Sequence, residues 1–349
     1  MNEVDIDQWK EFLDARVSGQ RGRKLAASYI RYIEKQTERG LPPIFEFAHL
    51  VDLLGVDYKI LAQITREPHQ FYRRFTIPKR SGGSRVIDTP RPVLLKLQRW
   101  VLDEILNNLS PSENAHGFVP NRSIITNARA HVGHKELLKL DIEDFFGSIK
   151  SNTVREVFES AGFPNNVCWA LTRLVTKNSS LPQGAPSSPA LSNLTCLKLD
   201  AYLQKAAEDN NLVYTRYADD MCFSGDAIPN DMKGMVSSIL SKFDLRLNDK
   251  KTTLSRGGQR KIITGISISS GELKLPRSYL RELRKQIHHV VNRGILAHNI
   301  ATENNDPMLL DRLLGMVAFW LQVSPESQAA QDANTKLRNY MRDFDNAPT

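Results

Sequence analysis

The run Leu212-Val213-Tyr214-Thr215-Arg216-Tyr217-Ala218-Asp219-Asp220-Met221-Cys222-Phe223-Ser224-Gly225 carries the strongest structural signal in the chain. Two segments rich in β-branched, aromatic and aliphatic residues, 212–217 and 221–224, flank a break, a pattern that predicts a β-hairpin with Ala218-Asp219-Asp220 at its tip. Hairpin turns favour Asn-Gly, Asp-Gly or Gly-Gly, which reach positive φ at low cost, and no such dipeptide is present here. Two neighbouring carboxylates at a tight turn repel by about 4 kcal/mol at ~4 Å and intermediate dielectric unless a cation lies between them. Aspartate oxygens at that spacing suit a hard ion such as Mg²⁺. A solvated polar turn is the other reading, and the surrounding chain decides between them.

Working outward, a second acidic centre is Leu137-Leu138-Lys139-Leu140-Asp141-Ile142-Glu143-Asp144-Phe145-Phe146. An apolar strand runs into Asp141 at its end, where a carboxylate can meet the hairpin tip, while Glu143 and Asp144 read as solvated turn acids. Carboxylates from two strands around two metal ions are what phosphoryl transfer needs: one ion lowers the pKa of the attacking hydroxyl, the other holds the triphosphate and the leaving pyrophosphate. Between the two centres lies Leu181-Pro182-Gln183-Gly184-Ala185-Pro186-Ser187-Ser188-Pro189. Ser188 suits an N-cap with Pro189 at the first helical position, and Leu191, Leu194, Leu197 and Ala201 continue as one helix stripe. Its Pro-Gln-Gly loop can hold Gln183 against a nucleotide, or serve as a plain turn.

Upstream, Phe71–Pro78 and Arg85–Asp88 alternate as strands joined by Lys79-Arg80-Ser81-Gly82-Gly83-Ser84, a hairpin with a glycine-rich basic tip. Lys79, Arg80 and Arg85 on such a loop can fold over a triphosphate, or form an exposed basic turn. In the loop 114–124, Arg122 and Ser123 precede a helix whose first N–H groups can bind phosphate. Before the hairpin, Trp9, Phe12, Leu13 and Val17, then Leu25, Ala26, Tyr29, Ile30 and Ile33, recur at helical spacing. A second helical pair covers Phe45 to Leu54, stopped by Gly55, and Tyr58 to Thr65, stopped before Pro68. Leu94, Leu97, Val101, Ile105 and Leu109 mark a further helix.

Composition narrows the partners. Net charge is +8, from 47 Lys and Arg against 39 Asp and Glu in 349 residues. That excess points to a polyanion, nucleic acid before an acidic membrane surface. Cys168, Cys196 and Cys222 are widely spaced and include no C-x-x-C, which argues against a disulfide framework or zinc knuckle and for a reducing compartment. The first residues are acidic where a signal peptide is basic then apolar, and no run approaches 18 apolar residues. A cytoplasmic protein with no membrane partner is expected.

Asp141 in Leu-Asp-Ile-Glu-Asp-Phe-Phe, Leu-Pro-Gln-Gly-Ala-Pro-Ser-Ser-Pro at 181–189 and Tyr-Ala-Asp-Asp at 217–220, in that order, resemble the reverse transcriptases. Asn127-Ala128-Arg129-Ala130-His131 is similar to the Asn-Ala-x-x-His motif of the retron-type enzymes of bacteria, and Ile263-Thr264-Gly265 to their Val-Thr-Gly, with Ile replacing Val. The resemblance covers residues 70–295. It implies an α+β right-hand polymerase: an N-terminal helical extension over 1–68, fingers over 69–135 with part of 150–185, a palm with an antiparallel sheet over 136–268, and a helical thumb over 269–349.

Carried across by motif, Asp141 and Asp219 are the principal metal ligands, Asp220 supports them, and the Ile142 carbonyl completes a shell around two Mg²⁺ ions. Phe146 matches the aromatic gate that excludes a ribose 2′-hydroxyl, which favours dNTPs. Gln183 contacts the incoming nucleotide, Lys79 and Arg85 meet its phosphates, and Lys251 fits the basic position at the leaving pyrophosphate, with neighbouring Lys250 leaving the register open. The resemblance further implies a structured non-coding RNA as template, priming from an internal guanosine 2′-hydroxyl, a branched RNA–DNA product (msDNA), and antiphage defence with an effector protein.

Around Leu273 to Gly294, Lys274, Arg277, Arg281, Arg284, Lys285 and Arg293 outnumber Glu272 and Glu282. Leu280, Leu283, Ile287 and Val290 share one face, leaving Arg281, Arg284, Lys285 and His288 on the other, the form of a thumb helix along a nucleic-acid backbone. An ordinary solvated basic face is the alternative. Later stripes, Leu309 to Trp320 and Leu337 to Phe344, read as packing helices, and about 80 residues after the palm leave little space for a nuclease or splicing domain. The competing functional readings are another bacterial reverse transcriptase, of intron or defence type, and a non-catalytic polymerase-like scaffold that binds RNA. Retention of Asp141, Asp219 and Asp220 argues against the scaffold.

Overall fold

Among the described residues, helices come first and last, and the strands lie between them. The computed structural model describes residues 6–16, 19–78, 82–303 and 306–345; Val17, Lys79 and Arg80 lie outside them. The first helices are α1 (Ile6–Arg16), α2 (Gly19–Glu38), α3 (Phe47–Leu54) and α4 (Tyr58–Arg66). Local chemistry sets their ends. Gly55 takes a left-handed φ of 59° and returns its N–H to the last turn of α3, and the Asp57 carboxylate accepts the Lys59 N–H at 2.7 Å to start α4. The expected hairpin is β1 (Tyr72–Pro78) paired with β2 (Ser84–Pro90).

The chain then runs through α5 (Pro92–Glu104), α6 (Ile124–Arg129), β3 (Glu136–Asp141), α7 (Phe145–Ser148), α8 (Ser151–Ser160), α9 (Asn165–Val175), α10 (Ser188–Thr195) and α11 (Leu197–Glu208). Next come β4 (Val213–Tyr217), β5 (Asp220–Gly225), α12 (Met232–Ser241), β6 (Thr253–Ser255), β7 (Ile262–Ile263) and β8 (Ile266–Ser267). It closes with α13 (Arg277–Thr302), α14 (Leu309–Val323) and α15 (Gln328–Asp345). Two expectations need correction. The single stripe from Leu191 to Ala201 is two helices broken at Cys196, and Ser187 rather than Ser188 precedes α10. The Ser188 hydroxyl instead donates to the Pro182 carbonyl at 2.8 Å, tying down the loop before the helix.

The central sheet is antiparallel with strand order β4-β5-β3-β6. Alternation along its strands makes two unlike faces. Leu138, Leu140, Met221 and Phe223 enter a large core shared with α3 to α5 and α8 to α12. On the opposite face, Leu137 and Cys222 belong to a second core with α6, the β7–β8 hairpin and the C-terminal helices. By the same alternation Asp141 and Asp220 lie on that second face, four positions beyond Leu137 and two before Cys222 respectively.

The N-terminal helices are joined to the large core: Arg173 of α9 donates to the Thr65 and Arg66 carbonyls at 2.6 and 2.7 Å. In α13 the helix is interrupted at Gly294, whose φ of 83° and ψ of 163° are non-helical, and the Ile295 N–H beyond it donates to the Tyr340 hydroxyl of α15. No helix among the described residues is long and apolar enough to cross a membrane.

Candidate active site

Tyr217 pairs with Asp220, so the hairpin tip is a two-residue turn of Ala218 and Asp219, and Asp220 belongs to β5. Ala218 supplies the positive φ, 57°, that such turns ordinarily take from glycine. For an L-residue with a Cβ this costs about 1–2 kcal/mol and persists only where surrounding groups enforce it.

Arg216 is the enforcing group. Its guanidinium, wholly buried, donates from Nε and Nη2 to both oxygens of Asp200 on α11, and from Nη1 to Asn193 Oδ1 at 3.0 Å and the Ala218 carbonyl at 3.2 Å. Asn193 passes the link on, its Nδ2 donating to the Gly117 carbonyl at 2.8 Å. The loop holding Gly117 lies along β4, with His116 N–H donating to the Arg216 carbonyl at 2.7 Å and Arg216 N–H to that of Asn114 at 2.8 Å. Only glycine fits at 117, since a Cβ there would stand 2.8 Å from the Ala218 nitrogen. Sequence reading missed Arg216 and Asp200; the available signal was an arginine inside an otherwise apolar strand, which has to find a buried anion.

At the same end of the sheet, Asp141 and Asp220 are directly opposed in the β3–β5 register. The Ile142 N–H donates to the Asp219 carbonyl at 3.0 Å, fixing the turn to β3. Asp141 is buried, and Lys251 Nζ stands 2.6 Å from its Oδ2. Of the two adjacent lysines, Lys251 makes this contact. Burial, then the charges of Asp141 and Asp220, push the Asp219 carboxyl up to about 6. Asp220 is more open to solvent and moves the same way, through partial desolvation first and Asp141 second. Burial works against the Lys251 ammonium, yet the hydrogen bond and charge of Asp141, then Asp219 and Asp220, raise its pKa above the usual lysine value.

The donors suit a hard divalent cation: three carboxylates on one end of the sheet, mutually repelling, with one lysine as counter-charge. Among the described residues no three His, Cys, Asp or Glu side chains are gathered as a ready-made metal cage; Asp141 is paired with Lys251 instead.

On the same face, α6 is stitched to the hairpin. His131 bridges Ser224 Oγ (2.6 Å) and Thr215 Oγ1 (2.7 Å), and Thr215 donates to Asn127 Oδ1 at 2.6 Å. Burial, then His134 and His116, push the imidazole down to about 3, so it is neutral near pH 7. The β7–β8 turn, Thr264 and Gly265 with φ of 44° and 87°, rests on α6 through Thr264 Oγ1 and the Ile124 carbonyl. Asn127 and His131, both buried, thus support the hairpin that carries Asp219, and the Ile263–Gly265 turn rests on α6 behind them.

The remaining sequence-derived positions divide. Gln183 is half-buried and its carbonyl accepts the Asp88 N–H at 2.8 Å, so the Pro-Gln-Gly loop is fastened to β2. Asp88 in turn pairs with Arg74 and Lys177 at 2.9 and 2.6 Å. Arg85 is exposed on the β1–β2 hairpin, and Lys79 lies outside the described residues. Phe146 is half-buried beside Phe145, their ring centroids 5.6 Å apart. Arg122 turns inward, its Nη1 donating to the Ser112, Glu113 and Ala115 carbonyls, which replaces the expected phosphate contact with a loop-holding one.

Arg277, Arg281 and Arg284 line a cleft of about 1760 Å³ together with Arg129, Arg260 and Lys274. The Arg284 guanidinium lies 5.0 Å above the Trp320 ring. Lys285 and His288 are exposed outside that lining, and His288 is hydrogen-bonded to Asn292.

Residues 77–286 match the family model for reverse transcriptase (RNA-dependent DNA polymerase). The chain is 39% identical over 223 residues to the retron Ec86 reverse transcriptase of Escherichia coli, covering 63% of this chain and 70% of that protein. It is 34% identical to the retron Mx65 reverse transcriptase of Myxococcus xanthus, over 82% and 70% of the two, and 32% identical to the Mx162 enzyme of the same organism, over 73% and 58%. Among solved structures, Candida albicans telomerase aligns at 10% identity and a TM-score of 0.44, over 79% of this chain and 64% of that one, too low a likeness to bear on the fold.

Proposed function

We propose, from the premise that this chain belongs to the reverse transcriptases and to their retron type and is an RNA-directed DNA polymerase, that Asp141, Asp219 and Asp220 form its catalytic centre. The observation that carries this is the opposition of Asp141 and Asp220 across β3 and β5 with Asp219 in the turn between strands. Reverse transcriptases use divalent metal ions; here the reading is two Mg²⁺, which the three aspartates with the Ile142 carbonyl would hold and which would supply Lewis acidity at the attacking hydroxyl and the triphosphate.

The chain's own residues do the positioning. Arg216 holds the turn through Ala218, so the carboxylates keep their places as substrate arrives. Lys251 neutralises Asp141 in the free protein and lies within reach of a leaving pyrophosphate. Phe146 closes the space a ribose 2′-hydroxyl would need, and Gln183, with Arg85 and Lys79 on the β1–β2 hairpin, receives the dNTP. The basic cleft with Arg277, Arg281 and Arg284 takes nucleic-acid backbone. The template would be a structured non-coding RNA, extended from an internal 2′-hydroxyl into branched msDNA in the cytoplasm, in antiphage defence with an effector protein. The retron relatives support the reverse-transcriptase and retron part of this reading.

The test is primer extension on an RNA template by wild type, Asp219→Asn and Asp220→Asn. Both variants should lose extension while RNA affinity stays near normal. Persistent extension removes the catalytic assignment. Sequencing the nucleic acid that copurifies with the protein tests the product: an RNA joined to DNA through a 2′ branch is expected, and unbranched DNA points to another bacterial reverse transcriptase.

A further inference from the structure

We propose that Phe118 is the wall against which the newest base pair of the growing duplex lies, a specificity-determining residue of the polymerase reaction; the inference rests on the catalytic reading above. Phe118 has a φ of 61°. Asn121 in the same loop shares that value, but an asparagine tolerates the left-handed region, whereas for a bulky ring it is a genuine outlier. Glycine would satisfy this backbone without strain, so the chain accepts a cost in order to carry a ring here.

The ring is 48% exposed, yet it is not loose. Its centroid is 6.5 Å from that of Phe146 and 6.4 Å from that of Tyr217, so the three aromatics form one surface beside the Ala218–Asp219 turn. The loop beneath is over-determined: Asn193 holds the Gly117 carbonyl, Arg122 Nη1 donates to that of Ala115 at 2.7 Å, and Arg122 N–H returns to Val119 at 3.2 Å.

The surroundings decide what lies on this surface. Along the catalytic end of the sheet the order is Lys251 at Asp141, then Asp220, then the turn, then Phe118 outside β4. A duplex end at the carboxylates thus has a cation on one flank and an uncharged aromatic surface on the other. Phosphates belong with the cation. Bases and sugars belong with Phe146, Tyr217 and Phe118, where aromatic contact with one base contributes ~1–3 kcal/mol.

The experiment is single-nucleotide extension by the whole chain, from matched and mismatched primer ends, with Phe118→Ala, Phe118→Gly and Phe118→Tyr. Duplex affinity and thermal melting are measured alongside. Phe118→Ala and Phe118→Gly should slow extension from matched ends on the order of ten-fold. They should also shrink the matched-to-mismatched ratio, with duplex affinity held by the basic cleft. Phe118→Tyr should recover most of the rate, and Phe118→Gly should melt no lower than wild type because the backbone strain is relieved. Wild-type rates and ratios in both Phe118→Ala and Phe118→Gly overturn the proposal. A wild-type chain that extends no primer overturns the catalytic reading instead, so the two failures are distinct.

Discussion

The Arg216 guanidinium donates to both carboxylate oxygens of Asp200, at 2.8 and 2.6 Å, with neither side chain reached by solvent. The same guanidinium holds the Ala218 carbonyl at the strained turn. One buried ion pair therefore joins α11, α10 through Asn193, and the turn carrying Asp219.

Breaking a buried pair strands a charge at a cost of about 3–5 kcal/mol, whereas replacing both partners by apolar groups is often near neutral. Arg216→Lys, which keeps the charge but loses the planar fork, should lower the melting temperature and slow extension. The double variant Arg216→Met with Asp200→Leu should recover stability but not extension, because nothing then holds Ala218. Melting curves and primer extension read the two effects separately; full recovery of both would reduce the pair to a packing element.

The raised Asp219 carboxyl makes a signed prediction. Its folded pKa, about 6, exceeds the ordinary 3.8, so the folded state holds the proton more tightly and stability falls as pH rises between those values. Asp219→Asn lacks this loss. By denaturant unfolding in EDTA it should match wild type near pH 4 and exceed it at pH 7 by roughly 1–2 kcal/mol, a figure already discounted for partial exposure. Adding Mg²⁺ at pH 7 should erase that advantage. An equal difference at both pH values would show that Asp219 carries no such strain.

Phe146→Ala should admit ribonucleotides, measured as the ratio of dNTP to NTP incorporation. A drop on the order of ten-fold or more is expected if the half-buried ring is what fills the 2′ position. Unchanged discrimination would move the gate to another residue of the aromatic surface.

Arg281→Glu with Arg284→Glu should weaken RNA binding and flatten its dependence on salt. Each lost phosphate contact lowers the log–log slope by ~0.7–0.9, so a change of about 1–2 is expected from the pair. An unaltered slope would mean that the cleft shared with Arg129 and Arg260 faces away from the backbone.

Much of the architecture was legible because its causes are local. Alternation marked β1 and β2, an apolar run marked β3, β-branched and aromatic content marked β4 and β5, Gly55 marked the end of α3, and the two acidic motifs marked the strand ends that meet at Asp141 and Asp220. The break at Cys196 was not legible, since Leu197 and Ala201 keep helical spacing across it while lying exposed. Nor was the fate of Arg122, whose partners are main-chain carbonyls without sequence identity.

What the residues determined alone was the chemistry on offer: which carboxylates end strands, which segments alternate, and the net positive charge. Which of those groups meet was decided by tertiary structure. His131 turned from a motif histidine into a neutral bridge between Thr215 and Ser224, Lys251 was selected over Lys250, and Phe118 came to stand beside Tyr217. The physical reason is that secondary structure is set by periodicity and caps within a few residues. A buried charge, a strained φ or an exposed ring takes its meaning from partners brought near only when the chain closes into a core.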